Sequence, residues 1–212
     1  MPEPAPPDPP APDPPPDRGA TDGPAPWRRL GSREVYRNPW LRLEEHVVAL
    51  PNGHETLYGV VRCRECVGML PFVDADHVLL VGQWRYVIGR ATWEIPTGAL
   101  HPGEAPEDGA QRELAEEVGR RAGRLLRLTG FDSSKSILEE HAHLYCCFDL
   151  EAAEATPDAT ELLVVRQLPF DEALALVLSG EIVDAMSVIA ILWADRLRRT
   201  GSWPPEPVSP AS

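Results

Sequence analysis

Apolar residues fall in short runs bounded by turn formers over the first half of the chain, the pattern of β-strands. Strand signals cover Glu34–Tyr36, Leu41–Leu50 and Thr56–Arg64, and the turn Pro51-Asn52-Gly53-His54 makes the second and third a hairpin. Cys66–Val73 and Val78–Trp84 follow, separated by Asp74-Ala75-Asp76, and Trp93–Pro96 is a shorter strand. The period then changes. Ala110, Leu114 and Val118 recur at i, i+4 and i+8, which predicts a helix from Pro106 to Val118 with one apolar stripe turned to the core. Leu125–Leu128, His143–Phe148 and Leu162–Gln167 read as strands, and Phe170–Leu178 and Asp184–Arg199 as helices. The last helix carries Val188, Ile189, Ile191, Leu192 and Trp193, enough apolar surface for a core position or an oligomer contact.

The first helix also carries the chain's densest charge pattern. Glu113, Glu116 and Glu117 stand at i, i+3 and i+4, so three carboxylates share one face within a helical turn. A cation on that face relieves their repulsion, and oxygen ligands of this kind suit a hard ion such as Mg²⁺, with Mn²⁺ as the alternative. Arg112, four residues before Glu116, can orient carboxylates with its rigid fork and can reach Glu104 if the preceding loop folds back. Gly98 and Gly103 suit the turn between strand and helix, Pro106 suits the first helical position, and Gly119 suits a left-handed C-cap.

Read together, these residues form one pattern: Gly98, five residues, Glu104, seven residues, then Arg112-Glu113-Leu114-Ala115-Glu116-Glu117-Val118-Gly119. At roughly 7% per identity, seven specified positions in one register arise by chance at about 10⁻⁸, so coincidence is no rival. The pattern resembles the Nudix box, the signature of hydrolases that cleave a nucleoside diphosphate linked to another moiety. The resemblance implies an α/β fold, an α/β/α sandwich with a mixed sheet, here preceded by an N-terminal antiparallel β-element. Two positions depart from the family pattern. Arg120 stands where an aliphatic residue is usual, and Gly109 lies inside the helix where alanine is frequent. Gly109 should cost about 1 kcal/mol of helix propensity.

Outside the box, Gln83-Trp84-Arg85-Tyr86, Trp93-Glu94-Ile95-Pro96-Thr97-Gly98 and Gly180-Glu181-Ile182-Val183-Asp184 resemble the branch that hydrolyses ADP-ribose and nucleotide sugars. That resemblance implies a homodimer and a role for each matching residue. Arg85 would clamp a substrate phosphate and Glu94 would join the substrate site. Glu113, Glu116, Glu117 and the carbonyl of Thr97 would hold the metal. Glu140, from the stretch Ser134-Lys135-Ser136-Ile137-Leu138-Glu139-Glu140, would act on the attacking water from a mobile loop and share in metal binding, with Glu139 as the neighbouring alternative. Glu116 and Arg112 complete the catalytic set, and Trp40 is a candidate for stacking on the base, across the dimer. A proline about sixteen residues past the box, common in ADP-ribose hydrolases, is missing, since the next is Pro157. Dinucleoside polyphosphates and nucleoside triphosphates are the alternative substrates. A non-catalytic nucleotide sensor of the same fold is the alternative of another class.

Composition frames this reading. Twelve of the 24 prolines lie in residues 1–26, a Pro-, Ala- and Asp-rich leader expected to stay solvated, and residues 201–212 are expected to form a second unstructured tail. Residues 27–200 are left for a single domain, its first part, 27–64, being the N-terminal β-element. A net charge of −13 disfavours nucleic acid and anionic membranes as partners. No basic start precedes a long apolar stretch, so a cytoplasmic protein is expected. Cys63 and Cys66 form a CxxC, but a strand running through Tyr58–Val73 would put the thiols on opposite faces. Reduced, buried cysteines are therefore expected rather than a zinc site.

Overall fold

A computed structural model describes residues 25–154 and 162–203. The chain opens with an antiparallel meander, β1 (Arg28–Arg37), β2 (Arg42–Ala49) and β3 (Glu55–Arg62). It then enters a second sheet through β4 (Cys66–Pro71) and a third through the hairpin β5 (His77–Arg85) and β6 (Arg90–Glu94). β7 (Thr97–Ala99) returns to pair with β4. Then come α1 (Pro106–Val118), β8 (Arg120–Asp132), β9 (Leu138–Glu139), β10 (His141–Ala152), β11 (Val164–Pro169), α2 (Phe170–Leu178) and α3 (Ala185–Arg199).

The central sheet, in the order β7-β4-β10-β8, is mixed: β4 and β10 run parallel and their neighbours antiparallel. Side-chain alternation along β4 and β10 splits the core in two. On one face Val67, Met69, Tyr145 and Cys147 meet Ala110 and Leu114 of α1. On the other, Leu70, Leu144 and Cys146 meet α2 and α3 through Phe170, Ala173, Ala190 and Ile191. Helices thus cover both faces, which is the α/β/α arrangement expected. The N-terminal element forms its own sheet, β1-β2-β3-β9, and the third sheet has the order β11-β5-β6.

Several elements differ from the periodicity in extent. β1 spans ten residues, all exposed, so it carries no buried stripe that could reveal it in sequence. β8 starts directly at Arg120, its first half masked by Arg120, Arg121 and Arg124. Arg120 pairs with Ala152 on an exposed strand end, which removes any need for an aliphatic side chain there. The expected strand Trp93–Pro96 is broken in two, because the chain leaves β5 after Glu94 and joins β4 at Thr97. Tyr58–Val73 is likewise two strands in two sheets, with Cys63–Glu65 the turn between them, so the opposite-faces argument for the CxxC thiols fails. All four cysteines are free. Gly109 packs closely on the preceding loop: a Cβ there would fall 2.3 Å from Leu100 Cδ2, so any larger residue would require the Leu100 side chain to shift. No described helix is long and apolar enough to cross a membrane.

Residues 201–203, expected in the second tail, belong to the described structure. Trp203 packs edge-on against Phe72 and Phe148, with ring centroids 4.9 and 5.4 Å away, and Phe72 stacks on Phe170. The expected solvated leader lies almost wholly outside the described residues, as does the expected tail beyond Trp203. Trp203→Ala removes a half-buried lid from this aromatic group and should lower stability by about 2 kcal/mol, read as a fall in Tm of about 5 °C.

Candidate active site

The box folds as a strand, a loop and a helix wrapped around one guanidinium. Arg112 Nε and Nη2 reach the two Glu104 oxygens at 2.9 and 2.8 Å, Nη1 reaches Glu113 at 2.6 Å and Glu116 at 3.1 Å, and Nη2 also donates to the Ala99 carbonyl at 3.1 Å. The loop therefore folds back, as the sequence predicts, and the arginine spans three carboxylates and the end of β7. The Arg112 hydrogen bond holds the Glu104 carboxyl down at about 2, and the same carboxylates raise the arginine. Pro106 opens α1 and Gly119 closes it at φ 63°, its N–H donating to Ala115 and Leu114 carbonyls.

Glu113 and Glu117 face β7. Glu113 is 9% exposed, and its carboxyl lies where a side chain at position 98 would be: a Cβ on Gly98 would fall 1.9 Å from Glu113 Cδ. Only glycine permits this approach. Glu117 Oε2 accepts the Thr97 N–H at 3.2 Å. Thr97 and Gly98 therefore form a cradle for two carboxylates of the box. On the outward side of α1 a groove of about 600 Å³ is lined by Asp108, Gln111, Arg112, Glu116, Arg121 and Glu154, so Glu116 stands between the groove and the cradle.

Arg85 and Glu94 meet across the β5–β6 hairpin. Arg85 Nε and Nη2 both bond the Glu94 carboxylate at 2.8 Å, and Glu94 is 3% exposed. Burial raises the Glu94 carboxyl, which the Arg85 contact only partly offsets. Burial opposes the charge of Arg85, yet the bond to Glu94, with Glu117 and Asp184 nearby, raises its pKa. Arg85, Glu94, Glu117 and Asp184 thus share one electrostatic neighbourhood.

The remaining predicted residues lie on other segments of the chain. Glu140 lies half-buried between β9 and β10, and its charge acts on Cys63 and Cys66; burial first and then Glu140 raise both thiols, Cys66 to about 12. Glu139 is committed elsewhere, to Arg62 Nη1 at 2.5 Å, while Arg62 Nε bonds Glu44 at 2.8 Å. Trp40 is 73% exposed on the β1–β2 turn of the N-terminal sheet. Among the described residues no three carboxylate, histidine or cysteine side chains form a metal-holding group. Of the predicted donors, Glu113 and Glu116 are bonded to Arg112 and Glu117 to the Thr97 N–H.

The donor chemistry nevertheless fits a hard divalent ion. Glu113 and Glu117 offer only oxygen, side by side, against the Thr97–Gly98 backbone and beside the exposed half of Glu116. Residues 63–186 match the family model described as NUDIX domain, and residues 27–61 match that of the nucleoside diphosphate sugar hydrolase N-terminal domain. The chain belongs to the Nudix hydrolase family.

Relatives of this Nudix hydrolase include an ADP-ribose pyrophosphatase of Bacillus subtilis, 31% identical over 166 residues, covering 77% of this chain and 90% of that protein. An ADP-ribose pyrophosphatase of Mycobacterium tuberculosis is 29% identical over 183 residues, 84% of this chain and 87% of the other. A crystal structure of an ADP compounds hydrolase superposes with a TM-score of 0.76 at 25% identity, covering 84% of this chain and 98% of its own.

Sequence reasoning missed Ser187, fully buried in α3 with its Oγ accepting the Ile95 N–H at 2.9 Å. The available signal was a hydroxyl residue set among Ala185, Met186, Val188 and Ile189.

The Glu104–Arg112 pair predicts an acid dependence. The Glu104 carboxyl lies below its ordinary 4.5, so its contribution is complete above pH 4.5 and is lost as pH falls toward about 2. Glu104→Gln should lower Tm at pH 7, and the gap to wild type should close between those limits. A gap that is constant with pH would show that the charge of Glu104 is not the source.

Proposed function

We propose that the protein hydrolyses the pyrophosphate bond of ADP-ribose or another nucleotide sugar, giving a nucleoside monophosphate and a sugar phosphate. The observation carrying this reading is the cradle in which Thr97 and Gly98 receive Glu117 and Glu113 beside the Arg85–Glu94 pair. Glu113, Glu116 and Glu117, with the Thr97 carbonyl, would hold Mg²⁺ or Mn²⁺. Such an ion, when bound, supplies neutralisation of the diphosphate and a water of lowered pKa. Arg85 binds phosphate through the donors that Glu94 leaves free, its fork already oriented by that pair. Arg112 fixes the carboxylates of α1. Glu140 orients or deprotonates the attacking water once the segment from Ser133 to Glu140 moves toward the bound diphosphate. Relatives named for ADP-ribose support the substrate class.

The exposed β1, carrying Trp27, Leu30, Val35 and Tyr36, suits a homodimer contact, with Trp40 set to stack on a base bound by the second copy. Activity in the cytoplasm completes the reading.

Glu117→Gln should lower kcat by about two orders of magnitude, roughly 3 kcal/mol of transition-state stabilisation, with Tm close to wild type, and excess chelator should abolish wild-type turnover. Near-normal turnover in either case removes the metal assignment. Tight nucleotide binding without phosphate release would mark a sensor instead.

Glu140 and Arg85 separate by kinetics. Glu140→Gln should depress kcat with little change in KM, whereas Arg85→Ala should chiefly raise KM. If Glu139→Gln proves the crippled variant, the loop carboxylate is the neighbour. If neither glutamate matters, the box alone activates the water.

A further inference from the structure

The chain changes sheets between Glu94 and Thr97. Glu94 pairs with Val81 of β5, and Thr97 pairs with Gly68 of β4. Two residues bridge the gap, and their backbone groups need partners outside both ladders. Pro96 has no N–H to satisfy, and its carbonyl accepts Met69 N–H at 2.9 Å. The Ile95 N–H is buried and points at Ser187 Oγ, 2.9 Å away. Ser187 is fully buried in the first turn of α3, and its own N–H donates to Asp184 Oδ1 at 2.8 Å in an N-cap.

The segment held in this way is flanked by the two halves of the site. On one side Glu94 grips Arg85; on the other Thr97 N–H holds Glu117. The close approach behind it is also built in. A Cβ on Gly68 would meet Leu144 Cδ2 at 2.8 Å and Ile95 Cδ1 at 3.0 Å, and Met186 Sδ lies 3.8 Å from Cys66 Sγ, so α3 is wedged directly behind β4. Asp184 acts further on both Arg85 and Glu94 through its charge.

We propose that Ser187, set by the Asp184 cap, is a positioning residue for the hydrolytic site: its hydroxyl fixes Ile95 where the chain crosses between sheets, and so locks the Arg85–Glu94 pair in register with Thr97 and Glu117. The proposal rests on the hydrolase reading above for its kinetic consequence, but its structural consequence is independent. A packing role for Ser187 would be met by any side chain of similar size. A positioning role requires the acceptor oxygen.

The test uses the full chain with Ser187→Ala, Ser187→Cys and Ser187→Thr, assayed with ADP-ribose and Mg²⁺, by Mn²⁺ titration without substrate, and by amide hydrogen exchange at Ile95. In Ser187→Ala and in Ser187→Cys, which fills the volume with a poor acceptor, kcat should fall by about ten-fold while KM stays within about two-fold. Both should bind Mn²⁺ more weakly and exchange the Ile95 amide faster, with the folded fraction unchanged at the assay temperature. Ser187→Thr, which keeps the oxygen, should recover kcat, Mn²⁺ affinity and Ile95 protection. If the buried threonine lowers Tm instead, Asp184→Ala should reproduce the Ser187→Ala pattern and Asp184→Asn, an equivalent cap, should spare it. Full kcat in Ser187→Cys, or a loss that only follows the unfolded fraction, overturns the proposal. If the wild type hydrolyses no nucleotide sugar, the hydrolase reading fails alone; positioning is then judged on Mn²⁺ affinity and Ile95 exchange, and values unchanged in Ser187→Ala overturn it.

Discussion

Everything at the candidate site depends on one cation, the Arg112 guanidinium. Glu104, Glu113 and Glu116 converge on it from a loop and from one helical face, and without it three carboxylates would repel across a few ångströms. The arginine also bonds the Ala99 carbonyl, so the same group that neutralises the carboxylates ties β7 to α1. Lysine would deliver the charge without the planar fork that serves several acceptors at once. A charge so committed leaves Glu117 for Thr97, and it leaves Glu116 half-exposed at the edge of the cradle. The geometry of the box is therefore a division of labour. Part of the acidic set is tied into the fold through Arg112, and Glu113 and Glu117 line the Thr97–Gly98 cradle.

Placement of that set follows from where the chain changes sheets. It does so twice near the site, at Cys63–Glu65 between the N-terminal and central sheets, and at Ile95–Pro96 between the third sheet and the central one. Sheet ladders satisfy backbone groups automatically, whereas a crossing must find partners one by one. Leu100 N–H uses the Glu65 carbonyl, Cys63 N–H uses Glu139, and Ile95 N–H uses Ser187. These seams are irregular enough to aim side chains that a regular strand would send to alternate faces. Glu94, Thr97 and Gly98 adjoin one of them, and Arg85 reaches it from the end of β5 through Glu94.

Legibility in the sequence followed the same physics. The helix α1 matched residue for residue, because an apolar stripe, a first-turn proline and a C-cap glycine agreed. The pairing of Arg112 with Glu104 was readable from spacing and reach. β1 was legible only at Glu34–Tyr36, since ten exposed residues leave no periodic trace, and β8 was cut short by its arginines. The crossing at residues 95–96 was illegible because apolar character continues through it, so Trp93–Pro96 looked like one strand. Gly109 shows that a propensity argument leaves out the close approach of Leu100, which lies outside the helix. Ser187 escaped for the related reason that its partner is 92 residues away. Spacing carries what a single helix or turn needs, and it is silent on contacts between elements.

Glu140 belongs to this last kind, and its setting constrains how it can act. The preceding residue, Glu139, sits in β9, paired in parallel with Arg62 of β3 and bonded to its guanidinium. Arg62 is itself held by Glu44, whose carboxyl Arg62 and His46 keep down at about 2 against the opposing effect of burial. Glu139 and Glu140 are adjacent in an extended segment, so their side chains leave on opposite sides, one toward the N-terminal sheet and the other toward the Cys63–Cys66 turn. The Arg62 ion pair thus fixes the facing of Glu140 as well as that of Glu139. Movement of Glu140 toward the box must either break the short β3–β9 pairing or carry β3 with it. The β3–β9 pairing spans two register pairs, extended by the Val61 N–H to Ile137 carbonyl and Cys63 N–H to Glu139 carbonyl bonds, against eight register pairs between β2 and β3, so rupture of β9 would be the lower-cost route. In the proposed reading the N-terminal sheet would be the anchor for that loop, and the Glu44–Arg62–Glu139 ion pairs that tie β9 to it would set how readily the carboxylate could travel.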